Sequence, residues 1–321
     1  MPLAFLRHCA AALTLASLAL AAAAQYPSRP VTIVVPFPPG GSQDVIARAI
    51  ANQMQQSMKQ SVVVENRPGA GGNIGAQAVA RAAPDGHMVL AGGAAISMTA
   101  HLQKGASFDP AKELVGTSLI TAGPFVLVAH PSAPFQTLEQ FIAYARANPG
   151  KVNYGSQGPG SVPHLAMEYF RSLAKVDLVH VPYKGAAPNV QAVLAGEVPV
   201  TIESAVATTQ HIRAGKLRPL AVTFKEPLEA FPDVPPIAKV LPGYELAGWQ
   251  GLFVPAATPP DVRARLSEEI HKAVRSAEVS KLLRELNTQV RLTTPQETDA
   301  WVRSEYTKWG KVIADNRITA E

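Results

Sequence analysis

The fold is decided by the stretch Val34-Val35-Pro36-Phe37-Pro38-Pro39-Gly40-Gly41-Ser42-Gln43-Asp44. Its apolar start predicts the end of a buried strand, its prolines and glycines predict a rigid turn, and a helix is expected to begin near Ser42. Glycines let backbone amides approach a ligand closely, and the first turn of a helix carries roughly half a positive charge. The stretch therefore predicts a preorganised cradle for a carboxylate or phosphate, with Asp44 holding the loop amides in place. An ordinary turn into a serine-capped helix is the alternative.

A second glycine-rich segment has the same organisation. Residues 153–164 follow a strand and open a helix, and they contain two serine hydroxyls among the glycines. If the two loops belong to different lobes, they face each other across a cleft. A carboxylate held by both loops would then favour closure of the cleft.

The rest of the chain alternates short apolar runs with helical patterns, which predicts an α/β fold. The runs are hydrophobic throughout rather than alternating, which indicates strands covered on both faces in a mostly parallel sheet. They lie at 31–35, 62–64, 88–90, 125–128, 178–181, 198–202, 220–222 and 252–254, with a weaker one at 290–292. Thr137 with Gln140, and Thr294 with Glu297, fit the capping pattern of a helix start.

Two places predict crossings between lobes, the strand at 125–129 and the segment at 249–255. We therefore expect one lobe from residues 25–124 and 250–321 and another from residues 125–249. The two crossings would form a hinge beneath a cleft, and hinge closure around a ligand is a known receptor mechanism. The hydrophobic content of 47% is enough for two cores of ordinary size.

Residues 1–24 predict an export signal that is cleaved after Ala24. Arg7 and His8 precede a short apolar run, which ends at Ala22-Ala23-Ala24. A buried N-terminal helix is the alternative, but the prolines that follow disfavour it. Cys9, the only cysteine, lies inside the signal, so disulfides and thiol chemistry are not expected in the remaining chain.

Several function classes are excluded by what the sequence lacks. The formal charge is +5 without any run of five basic residues, so no nucleic-acid partner is expected. Ser156 or Ser161 with His164 could suggest a hydrolase, but the G-x-S-x-G signature is absent. The histidines lack metal-ligand spacing, and no nucleotide-binding motif occurs at residues 68–75 or elsewhere. We therefore expect no catalytic residue, no metal and no cofactor.

At these segments the sequence resembles the Bug-type, or tripartite tricarboxylate transporter, periplasmic substrate-binding proteins. The resemblance covers almost the whole chain after the export signal. The motifs that carry it lie at residues 26–31, 36–44, 65–72, 83–86, 148–151, 181–188, 214–218, 220–223 and 249–255.

The resemblance implies a two-lobed, type II-like periplasmic binding fold with two crossover strands. It also implies that main-chain amides and ordered water on the two glycine-rich loops hold a carboxylate of the ligand. Together with Asp44 and Glu203, the ligand site predicted in this way consists of Phe37, Gly40, Gly41 and Ser42 in the first loop, Ser156, Gly158, Gly160, Ser161 and His164 in the second, and Ser97 in a loop nearby.

The chain departs from the family pattern at three places. Residues 92–98 are mostly apolar, Ile202-Glu203 stands where many members have Phe-Asp, and prolines occupy positions 159 and 163. All three lie where side chains would meet the distal half of a ligand. They predict an unusual ligand tail, aromatic or apolar, on a usual carboxylate.

These observations predict a non-enzymatic receptor that captures a small carboxylate in the periplasm. The ligand would be an organic acid, an aromatic acid or an amino acid, and the receptor is expected to be a monomer. It would deliver its ligand to the membrane permease subunits of a tripartite tricarboxylate transporter. A sensor that passes its closed form to a sensor kinase is the alternative, with the same ligand chemistry.

Overall fold

A computed structural model describes residues 26–102, 108–225, 228, 231–286 and 288–319. The predicted export signal, residues 1–24, lies outside this part of the chain. Within it, no helix combines the length and the apolar character needed to cross a membrane.

The strands form two sheets. The first has six strands: β1 (Val31–Val35), β2 (Val62–Asn66), β3 (Met88–Gly93), β4 (Leu114–Gly123), β10 (Gly248–Pro255) and β11 (Gln289–Val290). The second has five: β5 (Phe125–Ala129), β6 (Val152–Ser156), β7 (Leu178–Pro182), β8 (Val200–Ser204) and β9 (Arg218–Val222). The strand orders are β11-β4-β10-β3-β1-β2 and β7-β6-β8-β5-β9.

Helices cover both sheets, as the alternating pattern predicts. They are α1 (Ser42–Met58), α2 (Asn73–Ala80), α3 (Ala95–Thr99), α4 (Pro110–Glu113), α5 (Leu138–Ala147), α6 (Val162–Ala174), α7 (Ala186–Leu194), α8 (Ala205–Arg213), α9 (Pro260–Arg275), α10 (Ala277–Glu285) and α11 (Pro295–Asp315). The predicted starts of α5 and α11 are confirmed, because the hydroxyls of Thr137 and Thr294 accept from the amides of Gln140 and Glu297.

The prediction of mostly parallel sheets is wrong. β1 is parallel to β2 and β3, and β6 is parallel to β7 and β8. β10 is antiparallel to β3 and β4, and β5 is antiparallel to β8 and β9. The reason is topological. The chain enters β5 from the first sheet and β10 from the second sheet, so each of these two strands runs antiparallel to its neighbours.

The longest strand, β4, was missed because polar side chains interrupt its apolar run. Thr117, Ser118 and Thr121 are buried in it. The hydroxyl of Thr117 donates to the carbonyl oxygen of Leu252 at 2.8 Å, and the Ser118 hydroxyl lies 3.0 Å from Nε2 of His271. Satisfied hydrogen bonds allow polar side chains to be buried in this strand.

The two sheets are joined where β4 leads into β5 and where the chain returns into β10. Gly123 and Gly248 are paired across the first sheet at this junction. A Cβ on Gly248 would lie 2.5 Å from the Phe125 ring and 2.8 Å from the carbonyl oxygen of Gly123, so only glycine fits there. The side-by-side junctions agree with the expected hinge.

The lobe boundaries at 124/125 and 249/250 remain a prediction. The last helix, α11, belongs by sequence to the first predicted lobe but also contacts helix α6 of the second. The rings of Trp309 and Tyr169 meet edge to face at 5.9 Å. The Ser172 hydroxyl donates to Oδ1 of Asn316 at 2.7 Å.

Candidate functional site

A cavity of about 110 Å³ lies between the two sheets. This is several times the roughly 10–15 Å³ that one water molecule needs. Its walls are the loops that follow β1, β3, β6, β7 and β8, together with the two junctions between the sheets. Ligand sites of open α/β folds lie at the carboxyl ends of strands, as this cavity does.

Asp44 holds the first loop in place, as the sequence predicts. Its Oδ2 accepts from the amide of Gly40 at 3.0 Å, and its Oδ1 accepts from Nε of Arg48 and Nδ2 of Asn66. The Asn66 amide also donates to the carbonyl oxygen of Phe37 at 3.0 Å. Burial raises the pKa of Asp44, but the hydrogen bonds from Arg48, Gly40 and Asn66 together lower it by more than burial raises it. The pKa therefore lies below its usual value. The carboxylate is therefore ionised and fixes both ends of the loop.

Replacing Asp44 with alanine is expected to loosen the loop and weaken ligand binding. Three donors lose their acceptor; Arg48 is 50% exposed and can bond to water, so the cost of about 1–3 kcal/mol per unsatisfied donor falls on the part-buried amides of Gly40 and Asn66. Chemical denaturation should show the lost stability, and calorimetry should show the lost affinity. Glu65→Ala removes an exposed ion pair with Arg67 and serves as the control, since exposed pairs contribute little. Unchanged affinity in Asp44→Ala would refute the role given to Asp44.

The start of α1 is open towards the cavity. Gly41 is the N-cap and provides no side-chain cap. A Cβ on Gly40 or Gly41 would meet no atom within 4 Å, so the space in front of the loop is free. The Ser42 hydroxyl accepts from Nε2 of Gln250 at 2.8 Å, which leaves its own hydrogen available for donation.

Three more helices start at the same cavity. The first residues of α6, α7 and α8 line it. No side chain caps α6 or α7, whereas at the start of α8 the amides of Ser204 and Ala205 donate to the Glu203 carboxyl and to the carbonyl oxygen of Pro124. The first amides of a helix have no partner within the helix, and they carry partial positive charge. The open N-termini of α1, α6 and α7 thus converge on one cavity, which makes it suited to an anion.

Lys184 and Asp44 are the charged residues that line the cavity. Asp44 is paired with Arg48 at 2.9 Å, and Lys184 is exposed and forms no ion pair with a described residue. The remaining wall is largely apolar and includes Phe37, Phe125 and Trp249. In the described part of the chain, no group of three or more histidine, cysteine, aspartate or glutamate side chains could hold a metal ion.

The serines of the second loop build the loop rather than line the cavity. The Ser156 hydroxyl lies 2.6 Å from Nε2 of His180 and accepts from the amide of Gly158. The Ser161 hydroxyl donates to the carbonyl oxygen of Gly158 at 2.6 Å. Both serines are fully buried. The second loop contributes Gln157, Val162 and Pro163 to the wall instead.

His164 supports the second loop from below. Its Nδ1 accepts from the amide of Gly160 at 3.2 Å, and its ring stacks on His180 at 4.1 Å. His180 in turn stacks on Tyr154 at 5.0 Å. Burial lowers the pKa of His164 to about 3 and that of His180 to about 4, and nearby positive charge lowers both further. Both rings are therefore neutral at pH 7.

Acidification is expected to destabilise the protein below about pH 6.5. The folded-state pKa values of His164 and His180 lie below the usual value of 6.5, so the unfolded chain binds more protons in this range. The stability that the neutral rings provide is complete above pH 6.5 and is lost as the pH falls towards 4. Fully buried His164 should contribute about 1.4 kcal/mol per pH unit within this window.

Urea denaturation at several pH values, for the wild type and for His164→Gln, would measure this effect. The slope of the free energy of unfolding against pH should be smaller in the variant by about 1.4 kcal/mol per pH unit, the contribution of one proton. Equal slopes would contradict the assignment of a neutral His164.

The other predicted site residues also lie behind the wall. Ser97 is fully buried, and its hydroxyl donates to the carbonyl oxygen of Ala94. A Cβ on Gly160 would lie 3.6 Å from Cγ2 of Thr99. Glu203 is fully buried, and burial raises the pKa of its carboxyl while N–H donors partly offset that rise. Of the predicted set, Phe37, Gly41, Ser42 and Asp44 line the cavity. The ligand-binding roles of the set as a whole remain predictions.

Several wall residues were not singled out from the sequence. They are Gln157, the segment 184–188, the segment 204–206, Trp249 and Gln250. The segment 184–188 carries the signal that identified the first loop, a strand followed by glycine and a helix start. Its glycine, Gly185, approaches Pro38 of the first loop, since a Cβ there would lie 3.3 Å from Cγ of Pro38.

Comparisons with known proteins agree with this geometry. A sequence profile described as "Tripartite tricarboxylate transporter family receptor" matches residues 46–318. The chain is similar to Protein BugT of Bordetella pertussis, with 35% identity over 297 residues, 90% of this chain and 90% of that protein.

Two solved structures extend the similarity to the fold. One is "R. palustris Rpa4515 with adipate", with a TM-score of 0.86, 34% identity, and coverage of 92% of this chain and 99% of that one. The other is "MatC (Rpa3494) from Rhodopseudomonas palustris with bound malate", with a TM-score of 0.85, 32% identity, and coverage of 90% and 100%. The expected two-lobed periplasmic binding fold is confirmed by these similarities.

Proposed function

The chain belongs to the tripartite tricarboxylate transporter receptor family, whose members are periplasmic substrate-binding proteins rather than enzymes, and on this premise we propose that it captures a small carboxylate in the cavity between its sheets. The observation that carries the proposal is the convergence of three helix N-termini without side-chain caps, those of α1, α6 and α7, on that cavity. Both solved relatives carry ligands that are carboxylic acids, adipate and malate.

The energetics favour an acid over its neutral analogue. A hydrogen bond to a charged group contributes about 1.5–3 kcal/mol. Three or four such bonds contribute about 4.5–12 kcal/mol before the cost of association, and burial of the ligand skeleton against the apolar wall adds to them. The free hydrogen of the Ser42 hydroxyl and the open amides of α1, α6 and α7 are the donors we assign to the carboxylate.

The apolar part of the wall supports the predicted ligand tail. Phe37, Phe125 and Trp249 offer aromatic surface, which suits an aromatic or aliphatic skeleton. Ser156, Ser161, His164 and the glycines around them act by shaping the second loop. Their proposed contribution to binding is therefore indirect.

Export and delivery complete the proposal. Residues 1–24 direct the chain to the periplasm, where it acts as a monomer and hands the ligand to membrane permease subunits. A permease subunit that binds the ligand-loaded form in preference to the free form would support this role. Preferential binding to a sensor kinase would contradict it.

Trp249 provides a direct test of the site. It lines the cavity at 2% exposure, whereas Trp301 and Trp309 do not line it. Addition of the carboxylate should change the tryptophan fluorescence of the wild type and of Trp301→Phe, and the change should be lost in Trp249→Phe. A saturable change that survives in Trp249→Phe would place the ligand elsewhere.

A further inference from the structure

A buried carboxyl lies directly behind the cavity wall. Glu203, at the end of β8, is 0% exposed. Its oxygens accept from Nε2 of Gln157 at 2.8 and 3.1 Å, from Nδ2 of Asn189 at 3.1 Å and from the amide of Ser204 at 2.8 Å. No described Lys, Arg or His forms an ion pair with it. Buried carboxylates are rarely left without a cation, so this one requires an explanation.

Glu203 fixes the orientation of Gln157, which lines the cavity. Both carboxyl oxygens contact the same Gln157 nitrogen, so that nitrogen is committed to the buried side. The opposite orientation would set the Gln157 carbonyl oxygen against the carboxylate and is unfavourable. The Gln157 carbonyl oxygen makes no hydrogen bond to a described residue. It is therefore the polar group that Gln157 offers to a ligand, and it is an acceptor.

Glu203 also changes the charge of the adjacent wall. It accepts from the amide of Ser204, the N-cap of α8, so its negative charge offsets the partial positive charge of that helix start. Ser204 and Gln157 both line the cavity. At this wall a ligand meets an acceptor backed by negative charge, unlike the open amides of α1, α6 and α7.

We propose that Glu203, acting through Gln157, is a specificity-determining positioning residue that selects carboxylates carrying a hydrogen-bond donor, a hydroxyl or an ammonium group. This inference rests on the proposed function, because the carboxylate itself is bound at the helix N-termini. A second carboxylate at this wall would face the Gln157 carbonyl oxygen. Both groups are hydrogen-bond acceptors, so neither could donate to the other. A site built for one polar group rejects analogues that leave its own groups unpaired.

Two matched ligand series test the inference by calorimetry. One is hexanoate, 6-hydroxyhexanoate, 6-aminohexanoate and adipate. The other is benzoate, 4-hydroxybenzoate, 4-aminobenzoate and terephthalate. Within at least one series, the wild type should bind the hydroxy or amino member at least tenfold more tightly than both the unsubstituted acid and the dicarboxylate.

The variant Glu203→Gln should abolish or reverse this preference. A neutral amide at position 203 lets Gln157 turn its NH₂ group to the cavity, so the dicarboxylate should gain affinity while the unsubstituted acid changes less than threefold. Glu269→Gln is the control, since Glu269 is equally buried but lies in helix α9. If Glu203→Gln fails to fold, Gln157→Met removes the acceptor itself and should also lose the preference.

The outcomes separate this inference from its premise. Tightest binding of the dicarboxylate by the wild type, or a preference that survives in both variants, would overturn the role of Glu203 alone. Binding of acids without any preference would do the same. No binding of any acid in either series would overturn the proposed function, and this inference with it.

Discussion

Replacing Gly41 with valine is expected to abolish carboxylate binding and leave the fold intact. Gly41 has φ −76° and ψ 167°, a conformation open to any L-residue, and a Cβ there meets no atom within 4 Å. The valine side chain would therefore fill the space in front of the first amides of α1. The loss of two charge-assisted bonds predicts an increase in Kd of at least about 100-fold, roughly 2.7 kcal/mol.

Calorimetry with the preferred acid measures this effect, and circular dichroism checks the fold. Gly41→Ala adds a Cβ alone and should have a smaller effect, which makes it the graded control. Normal binding by Gly41→Val would mean that the first loop is an ordinary turn, the alternative that the sequence leaves open.

Gly71 does not line the cavity, but replacing it with leucine is expected to weaken ligand binding at least tenfold. Gly71 lies in the loop after β2, and a Cβ there would come within 3.1 Å of the Pro159 carbonyl oxygen and the Gly160 carbonyl carbon. Those atoms belong to the second glycine-rich loop, after β6. A longer side chain would hold the two loops apart and oppose closure of the cleft around the ligand.

The control for Gly71→Leu is Gly215→Leu. Both glycines have a positive φ, 65° and 68°, so both variants carry the same backbone strain. Gly215 has open space around its Cβ position. Calorimetry measures the affinity, and small-angle scattering measures the ligand-induced decrease in radius of gyration. Both quantities should change in Gly71→Leu only. Equal effects in the two variants would attribute the loss to strain and refute the contact between the loops.

The first loop could be predicted from sequence because its geometry is local. Its prolines, its glycines and a carboxylate four residues after Gly40 define the turn within the segment, and Asn66 of β2 adds hydrogen bonds to Asp44 and to the carbonyl oxygen of Phe37. The contact between Asp44 and the Gly40 amide follows from that spacing, and the structure shows it at 3.0 Å. Family and fold followed from many such local motifs in one order.

The second half of the site depends on long-range contacts and could not be predicted as well. Ser156 and Ser161 look like ligand groups in the sequence, but the partners that turn them inward, His180 and Gly158, are set by the sheet and the loop fold. Gln157 lies in the wall, and its amide is held by Glu203, 46 positions away. Strand β4 was missed for the same reason, since its polar residues find their partners on other elements.

A thermal-shift screen of the purified protein tests the central claim most directly. Dicarboxylates, tricarboxylates, hydroxy acids, aromatic acids and amino acids would each be compared with their neutral amides, after unfolding and refolding to remove any bound ligand. A ligand that binds only the folded state raises the melting temperature by mass action. We predict a clear increase with at least one acid and none with its amide. Equal increases with acid and amide, or no increase with any acid, would contradict the carboxylate cradle.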